Sequence, residues 1–182
     1  MEFQRTKLPD VYLIKPRVLA DERGWFAETW HAREFQDCGI GADFVQDNQS
    51  RSRRWVLRGM HYQVRHAQGK LVRVLNGEIF DVAVDLRRSS PSFGAWVGER
   101  LSSENHRMLW VPPGFAHGFL TLTEWADVAY KVTDYYAPEH ERRVAWNDAQ
   151  LRIEWPLPRG VTPVMDVKDA AAPALAAAEC FN

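Results

Sequence analysis

The chain has 182 residues, 46% of them hydrophobic, enough for one buried core, and no break in composition divides it, so a single domain over 1–182 is expected. A formal charge of −1 and a pI near 6.6 offer no bulk field to draw nucleic acid or an acidic membrane, so any anionic partner must be met by local basic clusters. Two cysteines, Cys38 and Cys180, are too few for a disulfide framework, Met1-Glu2-Phe3-Gln4-Arg5 lacks the apolar run of a secretory signal, and the alanine-rich stretch 170–178 falls short of a membrane span, so a soluble cytoplasmic protein is expected.

Short apolar runs with period-two alternation, each closed by Gly, Pro, Asn or Asp, dominate the chain. A first strand is expected over 11–18, a short helix over 32–38, and strands over 44–50 and 57–62, with a solvated basic loop at Arg51-Ser52-Arg53-Arg54 between them. Residues 71–75 and 79–86 flank Asn76-Gly77, which reads as a hairpin because Asn-Gly supplies the positive φ angles of a tight connection. Further strands follow over 94–101, 107–111, 118–123 and 127–133, and helix is expected in the tail beyond 167, where alanines accumulate. So many strands at such spacing predict a mainly β jelly roll or sandwich. Alternation puts Tyr130 on one face with Val128 and Val132, pointing inward. It likewise groups Leu57, Gly59, His61 and Gln63, leaving Arg58 opposite unless Gly59 admits a bulge that brings Arg58 and His61 to one cavity.

Two blocks carry the chemistry. The first reads His61-Tyr62-Gln63, then Lys70, six residues and Gly77; the second is Pro112-Pro113-Gly114-Phe115-Ala116-His117. They resemble the signature of metal-binding cupins, in which two histidines and a glutamate of the first block and a histidine of the second hold the ion. Here an amide stands for one imidazole and an ammonium for the carboxylate, and the loop between them is two residues too long. A protonated lysine cannot ligate a divalent ion and repels it, so no metal is expected and the socket reads as converted to organic acid–base work.

The segments Asp21-Glu22-Arg23-Gly24-Trp25-Phe26-Ala27-Glu28, Phe44-Val45-Gln46-Asp47-Asn48, Leu57-Arg58-Gly59-Met60-His61-Tyr62-Gln63, Gln68-Gly69-Lys70, Pro113-Gly114-Phe115-Ala116-His117, Tyr130-Lys131 and Lys168-Asp169 closely resemble the dTDP-4-dehydrorhamnose 3,5-epimerase family, in order and over about residues 3–175. The resemblance implies a cupin jelly-roll barrel with short peripheral helices. It also implies inversion of C3 and C5 of a dTDP-4-keto-6-deoxy sugar on the way to rhamnose for surface polysaccharide such as O antigen, with neither metal nor redox cofactor. Both carbons flank the C4 ketone, so losing either proton gives an enolate with its charge on the ketone oxygen. Such chemistry needs a base, a cation near that oxygen and an acid on the opposite ring face.

By resemblance His61 is the base, Asp169 the carboxylate behind it, Lys70 the cation and substrate contact, and Tyr130 the acid. Arg23, Arg58 and Lys168 are implied to meet the diphosphate, since guanidinium and ammonium groups suit phosphate oxygens. Gln46, Asp47 and Asn48 are implied to read base or ribose, Glu28 and Glu141 to accept sugar or base hydrogens, His117 to touch the sugar, and Tyr136 to stack on thymine. A homodimer that exchanges an N-terminal strand, so that the neighbouring chain supplies some nucleotide contacts, is implied too. Three other functions stand beside this one: an epimerase of the same sugar class that inverts one carbon in secondary metabolism, a metal-dependent cupin oxygenase, and a non-catalytic sugar-binding module.

Overall fold

Alternating burial along short strands dictates the architecture. In the computed structural model, which describes residues 1–182, the strands are β1 (Glu2–Arg5), β2 (Tyr12–Lys15), β3 (Val18–Asp21), β4 (Gly24–Ala27), β5 (Gln46–Arg53), β6 (Leu57–Gln63), β7 (Lys70–Asn76), β8 (Glu78–Asp85), β9 (Trp96–Ser102), β10 (Met108–Val111), β11 (Phe115–Thr121), β12 (Trp125–Val132) and β13 (Glu141–Arg143). Six form one antiparallel sheet in the order β1-β2-β10-β7-β12-β5, five form another in the order β13-β6-β11-β8-β9, and β3-β4 stand apart as a hairpin. The two larger sheets face each other as the expected jelly roll. Val72, Val74, Leu109 and Val128 from one inner face meet Ile79, Ala83, Phe115 and Phe119 from the other in the main core.

Each outer face has its own cover. Met60, Tyr62, Val82, Val84 and Ala116 on the back of the five-stranded sheet pack under Val144, Leu151, Leu175 and Ala178 of the C-terminal segment. Ile14, Leu71, Met108 and Trp110 on the back of the six-stranded sheet pack with Phe35 and Ile40. Phe35 belongs to helix α1 (Ala32–Asp37), close to the helix expected at 32–38. The helical tail is shorter than its alanines suggest: α2 (Val167–Ala170) ends before Pro173, and only a 3-10 turn at Leu175–Ala177 follows. Proline lacks the N–H that would extend the helix and disfavours helical geometry in the residue before it.

Three expectations need correction. Asn76-Gly77 does not close a hairpin: β7 lies in the six-stranded sheet between β10 and β12, while β8 lies in the other between β11 and β9. The positive φ of Gly77 (78°) turns the chain from one sheet to the other, and a Cβ there would collide with Trp125 O and Thr123 Oγ1. The span 11–18 is two strands, β2 and β3, broken at Pro16 and Arg17. The basic run after Ser50 is no loop, because β5 continues through Arg53 with Arg51 and Arg53 on its exposed face. β1, the β3-β4 hairpin and β13 were not anticipated from the sequence.

The bulge at Gly59 is present. His61 pairs with His117 and Arg58 with Phe119, so Gly59 and Met60 on β6 oppose Gly118 alone on β11. Gly59 has φ +130°, and a Cβ on it would stand 2.5 Å from Gly118 Cα and 3.0 Å from His117 O, backbone atoms that cannot yield. Gly59→Ala is expected to cost about 2–4 kcal/mol through strain and overpacking, read as a lower midpoint in urea.

Candidate active site

Opposed inner faces at one end of the barrel enclose a cavity of about 280 Å³. β5 contributes Gln46 and Asn48, β7 contributes Lys70 and β12 contributes Tyr130, all from the six-stranded wall; β6 contributes His61 and β13 contributes Glu141 from the five-stranded wall. Tyr62 and Gln63 add to the lining from β6, and Gln68 and Tyr136 complete it from connecting loops. The imidazole and the phenol therefore enter from opposite sides.

His61 Nε2 lies 2.6 Å from Asp169 Oδ1. Asp169 is buried in the first turn of α2, whose start is capped by Asp166 accepting from Lys168 N–H at 2.8 Å. Burial alone would push the Asp169 carboxyl up, but the His61 contact and donation from Gly59 N–H and Arg143 outweigh it and hold the group below the usual carboxylate range. An ionised Asp169 makes Nε2 the protonated nitrogen of a neutral His61 and leaves Nδ1 its lone pair.

Lys70 is 8% exposed, and its Nζ donates to His61 O at 3.3 Å. Burial pulls this ammonium down to about 8, against the opposing attraction of the Asp81 and Glu141 carboxylates. Tyr130 is half-buried against the main core, as alternation predicted. Burial raises its phenol, the Arg58 charge lowers it and Glu141 raises it further. Asn48 faces Tyr130 in strand register, Gln46 Nε2 donates to Asn48 Oδ1 at 2.8 Å, and Tyr136 N–H donates to Gln46 Oε1 at 3.2 Å. Glu141 Oε2 accepts from Arg143 at 2.7 Å and from Tyr136 Oη at 3.4 Å.

Several residues expected at the site are elsewhere. Asp47 points off the outer face of β5 and pairs with Lys131 at 2.7 Å, because strand alternation that turns Gln46 and Asn48 inward must turn their neighbour out. Arg23 sits at the tip of the β3-β4 hairpin, 84% exposed at its side chain and paired with Asp21, and Glu28 is exposed just beyond β4; neither lines the cavity of its own chain. His117 is buried behind the lining, its Nε2 2.7 Å from Asp81 Oδ1. Lys168 is exposed and lines a neighbouring groove with Arg143 and Glu141. Arg58 reaches across to Ser52 Oγ at 2.9 Å and stands outside the lining, although its charge is felt by Tyr130.

Sequence reasoning missed Arg143 and Asp81, and gave Gln68 no role. Arg143 follows Glu141 at the i+2 spacing of a strand face, a signal hidden because β13 itself was not recognised. Gln63 has a purpose that its place in the motif did not reveal. Its buried amide donates to His66 O at 2.7 Å and Tyr135 O at 3.2 Å and accepts from Ala137 N–H at 2.9 Å, stapling together the loops that carry Gln68 and Tyr136. The metal suggested by the fold does not fit these residues. His61 and His117 each face a carboxylate, Gln63 is committed to backbone, and an ammonium stands where a carboxylate ligand would.

A family model described as dTDP-4-dehydrorhamnose 3,5-epimerase matches residues 5–177. The chain is 57% identical to the dTDP-4-dehydrorhamnose 3,5-epimerase of Pseudomonas aeruginosa over 182 residues, covering 100% of this chain and 99% of that one. It superposes with a TM-score of 0.93 and 51% identity on a dTDP-6-deoxy-D-glucose-3,5-epimerase from Legionella pneumophila in complex with dTDP-4-keto-L-rhamnose, over 97% of this chain and 93% of that one. A 3′-monoepimerase from Streptomyces bikiniensis in complex with dTDP-quinovose is also similar, at 31% identity and a TM-score of 0.87 over 94% and 87% of the two chains.

The buried ammonium sets a stability test. In the unfolded chain Lys70 holds its proton up to its ordinary value of 10.5, whereas the folded protein releases it at about 8. The folding penalty is thus fully present below pH 8 and fades toward 10.5. Lys70→Met is expected to raise stability by about 1–2 kcal/mol at neutral pH, less at alkaline pH, in urea titrations run at both.

Proposed function

The chain belongs to the dTDP-4-dehydrorhamnose 3,5-epimerase family, and from that premise we propose that it inverts C3 and C5 of dTDP-4-dehydro-6-deoxy-D-glucose to give dTDP-4-dehydro-L-rhamnose. One observation carries the mechanism: a carboxylate-backed imidazole and a phenol face each other across a cavity that a buried ammonium also enters. His61 Nδ1 takes the proton from the carbon beside the ketone, and Asp169 stabilises the imidazolium that results. Lys70 holds the negative charge that develops on the ketone oxygen; preorganised donors of this kind contribute ~10²–10³ in rate. Tyr130 returns a proton from the opposite wall, which is what inversion requires, since one group taking and giving on the same face restores the starting centre. Repeating the cycle at the second carbon needs the ring to present that carbon to the same pair, after His61 has released its proton to solvent and Tyr130 has taken one up.

Binding follows the cavity outward. Gln46, Asn48 and Glu141 offer donors and acceptors to sugar and base, and Tyr136, half exposed at the rim, offers a face for thymine. Arg58, whose charge reaches Tyr130, and Lys168, in the groove that adjoins the cavity at Glu141, offer positive charge for the diphosphate. The β3-β4 hairpin supports a homodimer. Leu19, Trp25 and Phe26 are 51%, 61% and 67% exposed on an arm that touches the rest of its own chain through Trp25 on His106, and Arg23 and Glu28 ride on it. Seated on a second copy, the arm would bury its aromatics and bring those two residues to the neighbour's cavity mouth. Inversion of a single carbon is the competing reading, because a 3′-monoepimerase shares the fold at lower identity.

In deuterium oxide the protein is expected to place label at both C3 and C5 of the product, followed by NMR; label confined to one carbon would establish the single-carbon reading instead. Tyr130→Phe should retain exchange at the carbon His61 attacks while losing ~10²-fold or more in inverted product, and His61→Asn should lose both. The rate of inversion should fall as pH rises through about 8, where Lys70 gives up its proton.

A further inference from the structure

Arg143 is the one cation that touches the carboxylate behind His61. It faces His61 directly in the β13–β6 register. Its Nε donates to Asp169 Oδ1 at 2.8 Å, the same oxygen that His61 Nε2 approaches at 2.6 Å, and its terminal nitrogen donates to Glu141 Oε2 at 2.7 Å. Its side chain is only 20% exposed, so solvent screens the charge weakly. Asp169 Oδ2 is taken by Gly59 N–H at 3.1 Å, which leaves the carboxylate held from three directions.

We propose that Arg143 is a positioning residue for the base: it clamps Asp169 to Glu141 and sets a fixed positive charge behind the imidazole. This rests on the reading of His61 as the base. Charged and titratable groups stand around His61 on every neighbouring element. Lys70 lies on β7, Tyr130 on β12, His117 with Asp81 on β11 and β8, Arg58 on β6 itself, Glu141 and Arg143 on β13, Asp169 with Lys168 on α2, and Tyr136 on the loop before β13. Leaving the exposed Lys168 aside, the carboxylates Asp81, Glu141 and Asp169 are balanced by the cations Arg58, Lys70 and Arg143. Deleting Arg143 leaves an excess of negative charge beside the ring, which favours the imidazolium, a form unable to accept a proton. A base that must shed its proton between two inversions gains from a neighbour that opposes its holding one.

The test compares wild type, Arg143→Gln and Arg143→Lys by kcat/KM for hydrogen exchange at C3 and C5 across pH. Arg143→Gln is expected to move the acid limb of the profile upward by roughly one pH unit, with the lost rate partly regained at higher pH, and Arg143→Lys, which keeps the charge, to hold the limb near wild type. An acid limb that stays in place in Arg143→Gln, whether the rate is unchanged or falls equally at every pH, overturns the inference. Should Arg143→Gln not fold, Arg143→Lys decides: a limb held near wild type supports the proposal and one displaced by a unit or more overturns it. Wild-type protein that exchanges neither hydrogen would sink the epimerase reading itself, an outcome distinct from these.

Discussion

The carboxylate of Asp169 joins three parts of the chain that the sequence keeps far apart. It accepts from His61 and the Gly59 backbone on β6, from Arg143 on β13, and it rides on a single helical turn near the C-terminus. A buried carboxylate without donors would take up a proton or draw in water. With all three donors in place it stays ionised, and its charge fixes which nitrogen of His61 carries hydrogen. The orientation of the base is therefore a tertiary property, dependent on the C-terminal segment docking across the back of the five-stranded sheet through Leu151, Leu175 and Ala178.

A second constraint is the cost of the ammonium. Lys70 occupies an inner-face position whose strand neighbours Val72 and Val74 belong to the core, and its burial is offset by the charges of Asp81 and Glu141 and by its hydrogen bond to His61 O. Asp81 is itself fully buried and held by His117. The histidine expected to meet the sugar is thus placed where it steadies the counter-charge of Lys70. Lys70, Asp81 and His117 each have a partner of opposite sign or a hydrogen bond, while Asp81 Oδ2 stays buried without a hydrogen-bond donor.

Much of this was legible in the sequence, and the reasons for the remainder are specific. Strand positions followed from alternation, and the inward aim of Tyr130 from its place between Val128 and Val132, because a period of two is a local property. The partner of each strand is not local: Asn76-Gly77 carries the same φ preference whether it closes a hairpin or turns a corner between sheets, and the pairing of β7 with β10 and β12 and of β8 with β11 and β9 is made by residues far along the chain. Asp47 was placed at the site by its neighbours' company in a motif, although alternation already assigned it to the other face. Family resemblance brings His61 and Asp169 together, whereas no periodicity links two side chains so distant in sequence. Arg143 escaped notice because a three-residue strand leaves almost no periodic trace.

Gln63 closes one evolutionary road. The metal-binding cupin signature has an imidazole at this position. Here the amide is woven into the backbone of two loops through His66, Tyr135 and Ala137. Restoring an imidazole at this position would orphan those peptide groups before any ion could repay the loss, while Lys70 still repelled it. A metal site here would demand simultaneous replacement of Gln63 and Lys70 and new partners for three peptide groups, a far longer step than a change of the residues that only line the cavity.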